Sequence, residues 1–525
     1  MRQALLIFRK DVRRFRLPAA ALLSLIAIFG WMEAVLPHRR EFQAFPFFFE
    51  ILLLIAAWFL IVTTVHQEVL PGDRQYWITR PIPWSSLIIA KMLFAAVFFN
   101  LPVLVCNVAA LLANGLSPFD YAASLLARQV FVLAFLVLPA MALASVTRNL
   151  GQFVIAAFAG FGVVLVIGLQ FSPFPGIAAP SANWGGFTWI RTSATALLAG
   201  IACCAVLWLQ YKNRRTQLSR TILILAVLLL AVAPAFNLWH AAFRLQAGAS
   251  HRTPQSDTIR LSLDPHRDLA PGRDVLGFWR GAETYMRIVL PVELRGLPAG
   301  MQVLSERIAV VVDAPDGVSW SGPWSDAGGT LRLTGEQRLL PEDGAYWQYF
   351  YIDRALYERL KNTPVHLRTS AAFTLLSPAT TRRLTPPTLA SFVPQFGFCA
   401  TRAIAGGISN AINGMASVVC LAPLQSPEWG ALYVQSRRTG RTESFGTQIG
   451  RTRSLWREAL TYSPYPVGLG TSVWAMLGDA KPVYDAEALD ILLEERHAVA
   501  YMERNLDLQG VHLSQYQDAP TGASR

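Results

Sequence analysis

PFFFEILLLIAAWFLIVTTV, residues 46–65, carries a single charge, Glu50, in a run that is otherwise almost wholly apolar. Its length falls in the range of about 17–25 residues that a helix needs to cross the hydrocarbon of a bilayer. Lipid offers no hydrogen bonds, so a backbone placed there must satisfy its own polar groups, and a run of this kind spans as a helix. Six further apolar runs lie at 17–36, 85–112, 123–146, 153–170, 190–210 and 221–239. Such a series argues against a soluble α protein with buried helices. The expected fold is membrane all-α, with a six-helix transmembrane core over 17–210 and a seventh transmembrane helix over 221–239. A soluble β-rich α+β domain follows. The first run is followed by Glu33 and then by further spans, with no small-residue cleavage motif between them, so it is expected to remain as a signal anchor.

Charge divides the chain in the same way. The formal net charge is +12, and all of it lies in residues 1–250, which hold 19 Lys/Arg against 7 Asp/Glu; residues 251–525 hold 27 of each sign. A basic excess confined to the ends of spans reflects anionic leaflets and the positive-inside bias rather than nucleic acid, for which no zinc-finger or recognition-helix pattern is present. Arg2, Arg9, Lys10, Arg13, Arg14 and Arg16 place the N-terminus in the cytoplasm, where residues 1–16 are expected to form an interfacial helix with Leu5, Phe8 and Val12 on one face. Seven crossings then leave Arg148, Lys212, Arg214, Arg215 and Arg220 inside and the C-terminal domain outside, with Arg39 and Arg40 as outer exceptions. The expected location is the bacterial inner membrane, multi-pass, with the C-terminal domain periplasmic or extracellular.

The loop HQEVLPGDRQYWITRPIPWSSLIIAK, residues 66–91, is the most informative part of the membrane half. A turn at Pro71 and Gly72 leads into Asp73, Arg74, Gln75, Tyr76, Trp77, Ile78, Thr79 and Arg80; Pro81 and Pro83 then break the backbone, and Ser85 or Ser86 can cap the next span. This reads as a short amphipathic element at the inner face, with aromatics at headgroup depth. The uncharged, Pro- and Gly-rich segment 171–189 is expected at the outer membrane mouth, either dipping into the leaflet or as a plain aromatic-belt loop.

Beyond residue 245 the period changes. TIRLSL (258–263), YMRIVLPVEL (285–294), RIAVVVD (307–313), VHLRTSAAFTLL (365–376), ASVVCLA (416–422) and ALYVQS (431–436) are separated by Gly, Pro and Asp turns, which is strand grammar. A helix is expected from Asp353 with Leu356 and Leu360 apolar, whereas 486–504 suits helix or strands. The domain is expected over 245–518, with a division near 390, and 519–525 as a frayed tail. Cys106, Cys203 and Cys204 lie in spans and read as small apolar residues. Cys399 and Cys420 lie in the exported domain, where an oxidising compartment permits a disulfide.

Catalytic patterns are absent from the sequence. There is no G-x-x-x-x-G-K-[ST], no H-E-x-x-H and no G-x-S-x-G, and the histidines supply no helical ligand pair, so neither catalytic nor metal residues are assigned. His497, which follows Glu494 and Glu495, reads as an ordinary surface histidine. Glu50, Lys91 and Arg128 lie near span ends and are expected to act as membrane-edge charges.

The leader, the two spans and then the stretch from Gly72 to Lys91, with Thr79-Arg80-Pro81 and a following Lys91, resemble the ABC-2 type permease subunits of bacterial ABC transporters. The resemblance covers about residues 1–210; the seventh span and the large domain are additions to that plan. It implies the membrane subunit of an ATP-driven exporter, not itself an enzyme. No cofactor is bound by this chain, and ATP and Mg belong to a separate P-loop ATPase subunit. It also implies a second permease chain, either a homodimer or a homologue. The family's ATPase contact falls on the loop that here holds Asp73, Arg74, Tyr76, Trp77, Arg80 and Pro81. Its arginines would meet acidic residues, and its aromatics would form the anchor. Membrane lipid and a periplasmic partner complete the expected contacts. Two other readings stay open: a membrane-anchored extracytoplasmic binding or sensory module, and an enzyme acting on envelope lipid or glycan.

Overall fold

The computed structural model describes residues 2–35, 45–68, 83–113, 117–119, 121–170, 188–232, 238–250, 254–264, 284–326, 339–340, 344–384, 391–393, 397–404, 415–421, 429–436, 442–444, 471–474 and 489–517. The loop at 69–82, most of the 171–189 segment and the C-terminal tail therefore lie outside the described residues.

The membrane half is helical where the apolar runs demand it. An N-terminal helix α1 (Arg2–Arg14) is followed by α2 (Arg16–Val35) and α3 (Phe45–His66). The next two runs each form a helix pair joined by a π-helical turn. One comprises α4 (Trp84–Ala95), Ala96–Asn100 and α5 (Leu101–Ala113); the other comprises α6 (Ala122–Val132), Leu133–Val137 and α7 (Leu138–Val146). Then come α8 (Leu150–Gln170), α9 (Thr188–Trp208) with a π turn at Leu209–Asn213, and α10 (Thr216–Val232). Among the described residues, four helical stretches are long and apolar enough to cross a membrane: Trp84–Ala109, Arg128–Val146, Leu150–Ile167 and Ser193–Asn213. Arg16–Gly30, Ile51–His66 and Thr216–Val232 form shorter apolar helices. Leu22, Ile26, Ala57, Val62, Phe94, Val137 and Val206 are buried in one shared core. Ile155, Phe158 and Leu197 face outward, as lipid-solvated side chains do.

The C-terminal half begins with α11 (Trp239–Ala249), which the sequence reading did not separate from the seventh apolar run. Strands β1 (Arg260–Leu263), β2 (Tyr285–Arg295) and β5 (Ala345–Asp353) form one antiparallel sheet in the order β1-β2-β5. Strands β3 (Gln302–Asp313), β4 (Ser319–Asp326), β6 (Val365–Leu376) and β15 (Ala498–Val511) form another in the order β15-β6-β3-β4. The two share a core of Ile288, Val292, Val303, Ile308, Tyr346, Ile352, Leu367 and Phe373, a sheet-on-sheet arrangement. The expected helix at Asp353 is present as α12 (Arg354–Leu360), capped by Asp353 Oδ1, which accepts from the backbone N–H of Ala355 at 2.9 Å and of Leu356 at 3.2 Å. Gly344 has a φ of +73°, and a Cβ there would stand 2.5 Å from the Leu294 carbonyl oxygen, so this turn into β5 requires glycine.

Between β6 and β15 lie two further four-stranded sheets. One has the order β13-β10-β9-β8, from β8 (Ser391–Val393), β9 (Gly397–Ile404), β10 (Met415–Leu421) and β13 (Thr471–Trp474). The other has the order β12-β11-β14-β7, from β7 (Thr380–Leu384), β11 (Trp429–Ser436), β12 (Thr442–Ser444) and β14 (Leu489–Arg496). Within the ambiguous stretch 486–504, residues 489–496 and 498–504 are strand, not helix: β14 pairs with β11, and β15 returns to pair with β6.

The β-rich half meets the bundle through α11. Trp239 is fully buried with Phe243 and Ala372, and Ile190 near the start of α9 packs against them. Arg307 lies 4.9 Å from the Trp239 ring centroid. His240 stacks on Trp324 at 4.4 Å and shares a 2.9 Å hydrogen bond with Glu503. From Ile190 to Tyr211 the helix rises by about 32 Å at 1.5 Å per residue, so this contact and the charged site around Tyr211 lie at opposite ends of the bundle.

Candidate functional site: a buried ionic junction

An acid on the inner face of an otherwise basic helix needs a partner. Helix α1 turns Ala4, Ile7, Phe8, Asp11 and Val12 toward the spans, with Ala4 and Asp11 fully covered, and Phe15, between α1 and α2, continues that face. Phe8 packs on Phe94 and Phe98, each at 6.4 Å between ring centroids, and Phe15 packs on Phe94 at 6.3 Å. This aromatic packing brings Asp11 to Lys91, whose Nζ donates to Asp11 Oδ2 at 2.8 Å. Both residues are buried, at 0% and 2% exposure.

The second carboxylate comes from the end of α3. The backbone turns after His66, the Glu68 N–H bonding to the Val65 carbonyl at 3.3 Å, and this turn aims Glu68 at the same ammonium. Lys91 Nζ contacts Glu68 Oε2, while Lys10 donates to Glu68 Oε1 at 2.7 Å and lies 3.9 Å from Asp11 Oδ1. Two cations and two anions therefore close on one another with no net charge. In the amide orientation that satisfies both ends, Gln67 donates to Asp11 Oδ1 at 3.2 Å and accepts from Arg14 Nε at 3.1 Å. Tyr211, buried at the end of α9, sits close enough to feel both carboxylates.

Burial pushes the Asp11 carboxyl above its ordinary range, with Lys91 opposing the shift. Glu68 pays the same desolvation, but Lys91 and Lys10 together outweigh it and hold its carboxyl below the usual glutamate value. Sharing one ammonium, the two acids are thus driven apart, Asp11 being the easier to protonate.

Neighbouring contacts bind this end of the bundle further. His66 Nε2 lies 3.0 Å from the Ala144 carbonyl and 3.1 Å from Thr147 Oγ1, joining α3 to the end of α7. Arg220 Nε and Nη2 donate to the Val146 carbonyl at 3.3 and 3.0 Å, covering a carbonyl left open where α7 stops. Lys212 lies 4.8 Å from the Trp208 ring centroid and 5.9 Å from that of Trp84. The basic residues of the 212–220 segment thus share an end of the bundle with α1.

Of the residues singled out from sequence, Lys91 is the one placed in this site. Expected as a charge near the end of a span, it lies early in α4 as a buried counter-ion, with two carboxylates in place of water. Arg128 on α6 is likewise buried, at 7% exposure, rather than extended into solvent. Glu50 lies in the first turns of α3, and its side chain is outside the described residues. Asp73, Arg74, Tyr76, Trp77, Arg80 and Pro81 all lie outside them too, but Glu68 immediately precedes that segment and Trp84 opens the helix after it. Sequence reasoning missed Asp11 and Glu68 as site residues. Cys399 and Cys420 stand directly opposite each other in the β9–β10 register. Opposed residues of an antiparallel pair have Cα atoms about 4.5–5.5 Å apart, a separation a disulfide can bridge. Cys106, Cys203 and Cys204 are unbridged; Cys203 is buried as expected, whereas Cys204 is exposed on the outside of α9.

Among the described residues no cluster of His, Cys, Asp and Glu is suited to hold a metal. No protein-family model matches the chain, no curated protein is detectably similar to it, and no solved structure matches it. Fold and site define a protein of several membrane helices carrying a β-rich soluble domain, with an ionic junction at one end of the bundle and the domain contact at the other.

Proposed function

We propose that this chain is the membrane subunit of an ATP-driven ABC exporter of the ABC-2 type, with its N-terminus in the cytoplasm and its β-rich domain exported. The observation that carries this reading is the buried junction, which fastens α1 to the end of α3 at Glu68 and to α4 at Lys91, the two helices that flank in sequence the segment expected to dock an ATPase. A push delivered to residues 69–82 enters the bundle at Glu68 on one side and Trp84 on the other. Because Lys91 holds Asp11 as well as Glu68, that push moves α1 and two spans together instead of bending a free loop. Interiors this closely packed transmit displacement well.

In this reading the ATPase subunit binds ATP and Mg, and closure of two such subunits drives a pair of permease chains. Arg74 and Arg80 meet acidic residues on the ATPase, and Tyr76 and Trp77 fill a pocket there. The exported domain shapes access to the path through α11, whose Trp239 packs against the β-rich core and, through Ile190, against the start of α9. The same contact suits the second reading, a membrane-anchored binding or sensory module, in which α11 carries a signal to the spans. The two separate on one experiment: co-purification of a P-loop ATPase with the full chain supports the exporter, and its absence favours the sensory module.

A further inference from the structure

The outer face of α1 carries a basic groove that the junction uses only in part. Leu6, Arg9, Lys10, Arg13 and Arg14 line an open groove of about 490 Å³. Their spacing of i, i+3, i+4, i+7 and i+8 gathers all five on one stripe of the helix. Asp11 is the one acid in α1, and it is buried on the opposite face against Lys91. No carboxylate of the helix itself is therefore available to neutralise the groove.

We propose that this groove binds the phosphate headgroup of an anionic membrane lipid. Lys10 is partly committed to Glu68, and Arg14 to Gln67, so Arg9 and Arg13 carry most of the binding. Depth favours a lipid over a soluble anion. Asp11 meets Lys91, whereas Phe8, one turn earlier in α1, reaches Phe98, in the π turn beyond the far end of α4. Moving toward the N-terminus of α1 thus leads deeper into the bundle. Leu5 and Leu6, exposed at 48% and 65%, occupy the deeper side, and Arg13 and Arg14 the shallower one. Leucines at acyl depth beneath cations at phosphate depth are the arrangement of an interfacial helix on an anionic leaflet.

The test uses the full chain in detergent micelles, titrated with phosphatidylglycerol or phosphatidylcholine, with retained lipid read by native mass spectrometry. Phosphatidylglycerol is expected to be retained and phosphatidylcholine not. Arg9→Gln with Arg13→Gln should weaken retention by about 30-fold, from two lost cations near a charged surface. Arg9→Lys with Arg13→Lys should keep most of it, and Arg295→Gln on the soluble domain, exposed at 69% of its side chain, should change nothing. Equal retention of both lipids overturns the proposal, as does retention unchanged in the Gln pair. Displacement by millimolar inorganic phosphate beyond that by chloride at equal ionic strength overturns it too, by assigning the groove to free phosphate.

Discussion

Lys91 Nζ lies 2.8 Å from Asp11 Oδ2, and this contact joins the N-terminal helix α1 to the interior of α4 across 80 residues of sequence. Neither partner is solvated, and Asp11 and Glu68 share the one Lys91 ammonium. Removing this cation leaves the two carboxylates with Lys10 as their one cation in the junction, whereas neutralising all three groups together removes that mismatch.

Lys91→Met alone is expected to destabilise the chain by about 3–5 kcal/mol, the cost of breaking a buried pair from one side. The triple change Asp11→Asn, Glu68→Gln and Lys91→Met should cost much less than the sum of its members, since coupled sites are not additive. Thermal unfolding in detergent, followed for each variant, checks this; additive losses would show that the three groups act independently.

The same cluster sets a pH dependence. Glu68 is held below its ordinary value of 4.5, so its contribution is fully present above about pH 4.5 and is lost only as pH falls through its lower folded value. In an Asp11→Asn background, which removes the more easily protonated acid, the stability gap between Glu68 and Glu68→Gln should therefore stay constant from pH 7 to about 4.5 and shrink in more acid solution. A gap that widens on acidification contradicts the assignment of Lys91 and Lys10 as the groups that stabilise the carboxylate.

Topology is open to a direct check. A reporter active only outside the cytoplasm should work when fused after residue 245, in α11, and fail when fused after residue 213, at the charged end of α9. The opposite pattern would invert the orientation and, with it, the expected oxidising surroundings of the β-rich domain.

In those surroundings Cys399 and Cys420, opposed across β9 and β10, should be bridged, stabilising the domain by about 2–4 kcal/mol. Proteolytic fragments of protein isolated without reductant should show a mass shift on reduction. Free thiols at both positions would reject the bridge and leave the topology untouched.

Much of the architecture was legible because lipid imposes a simple code. Apolar runs of sufficient length became helices, and alternating runs such as 365–376 and 431–436 became strands. What escaped were features set by tertiary partners. The stretch at 486–504 reads equally well in either period, and only its pairing with β6 and β11 makes it strand. Helix α11 hid behind the seventh apolar run because Trp239 is apolar for a different reason, contact with a sheet instead of lipid. For the site, Lys91 stood out as a cation inside an apolar run, yet its role depended on residues 23 and 80 positions away in the chain, Glu68 and Asp11. One local signal did exist: Asp11 falls on the same helical face as Phe8, Val12 and Phe15, and an acid in that position must find a buried partner.

Co-purification is the most direct test of the central claim. The full chain, tagged at its C-terminus and extracted in mild detergent, is expected to bring down a P-loop ATPase, and the pair should hydrolyse ATP. Trp77→Ala with Arg80→Ala should abolish the capture while leaving the chain folded, because both residues lie in the segment assigned to the docking contact. Failure of the intact chain to capture any P-loop ATPase, or capture undiminished by the double change, would contradict the account.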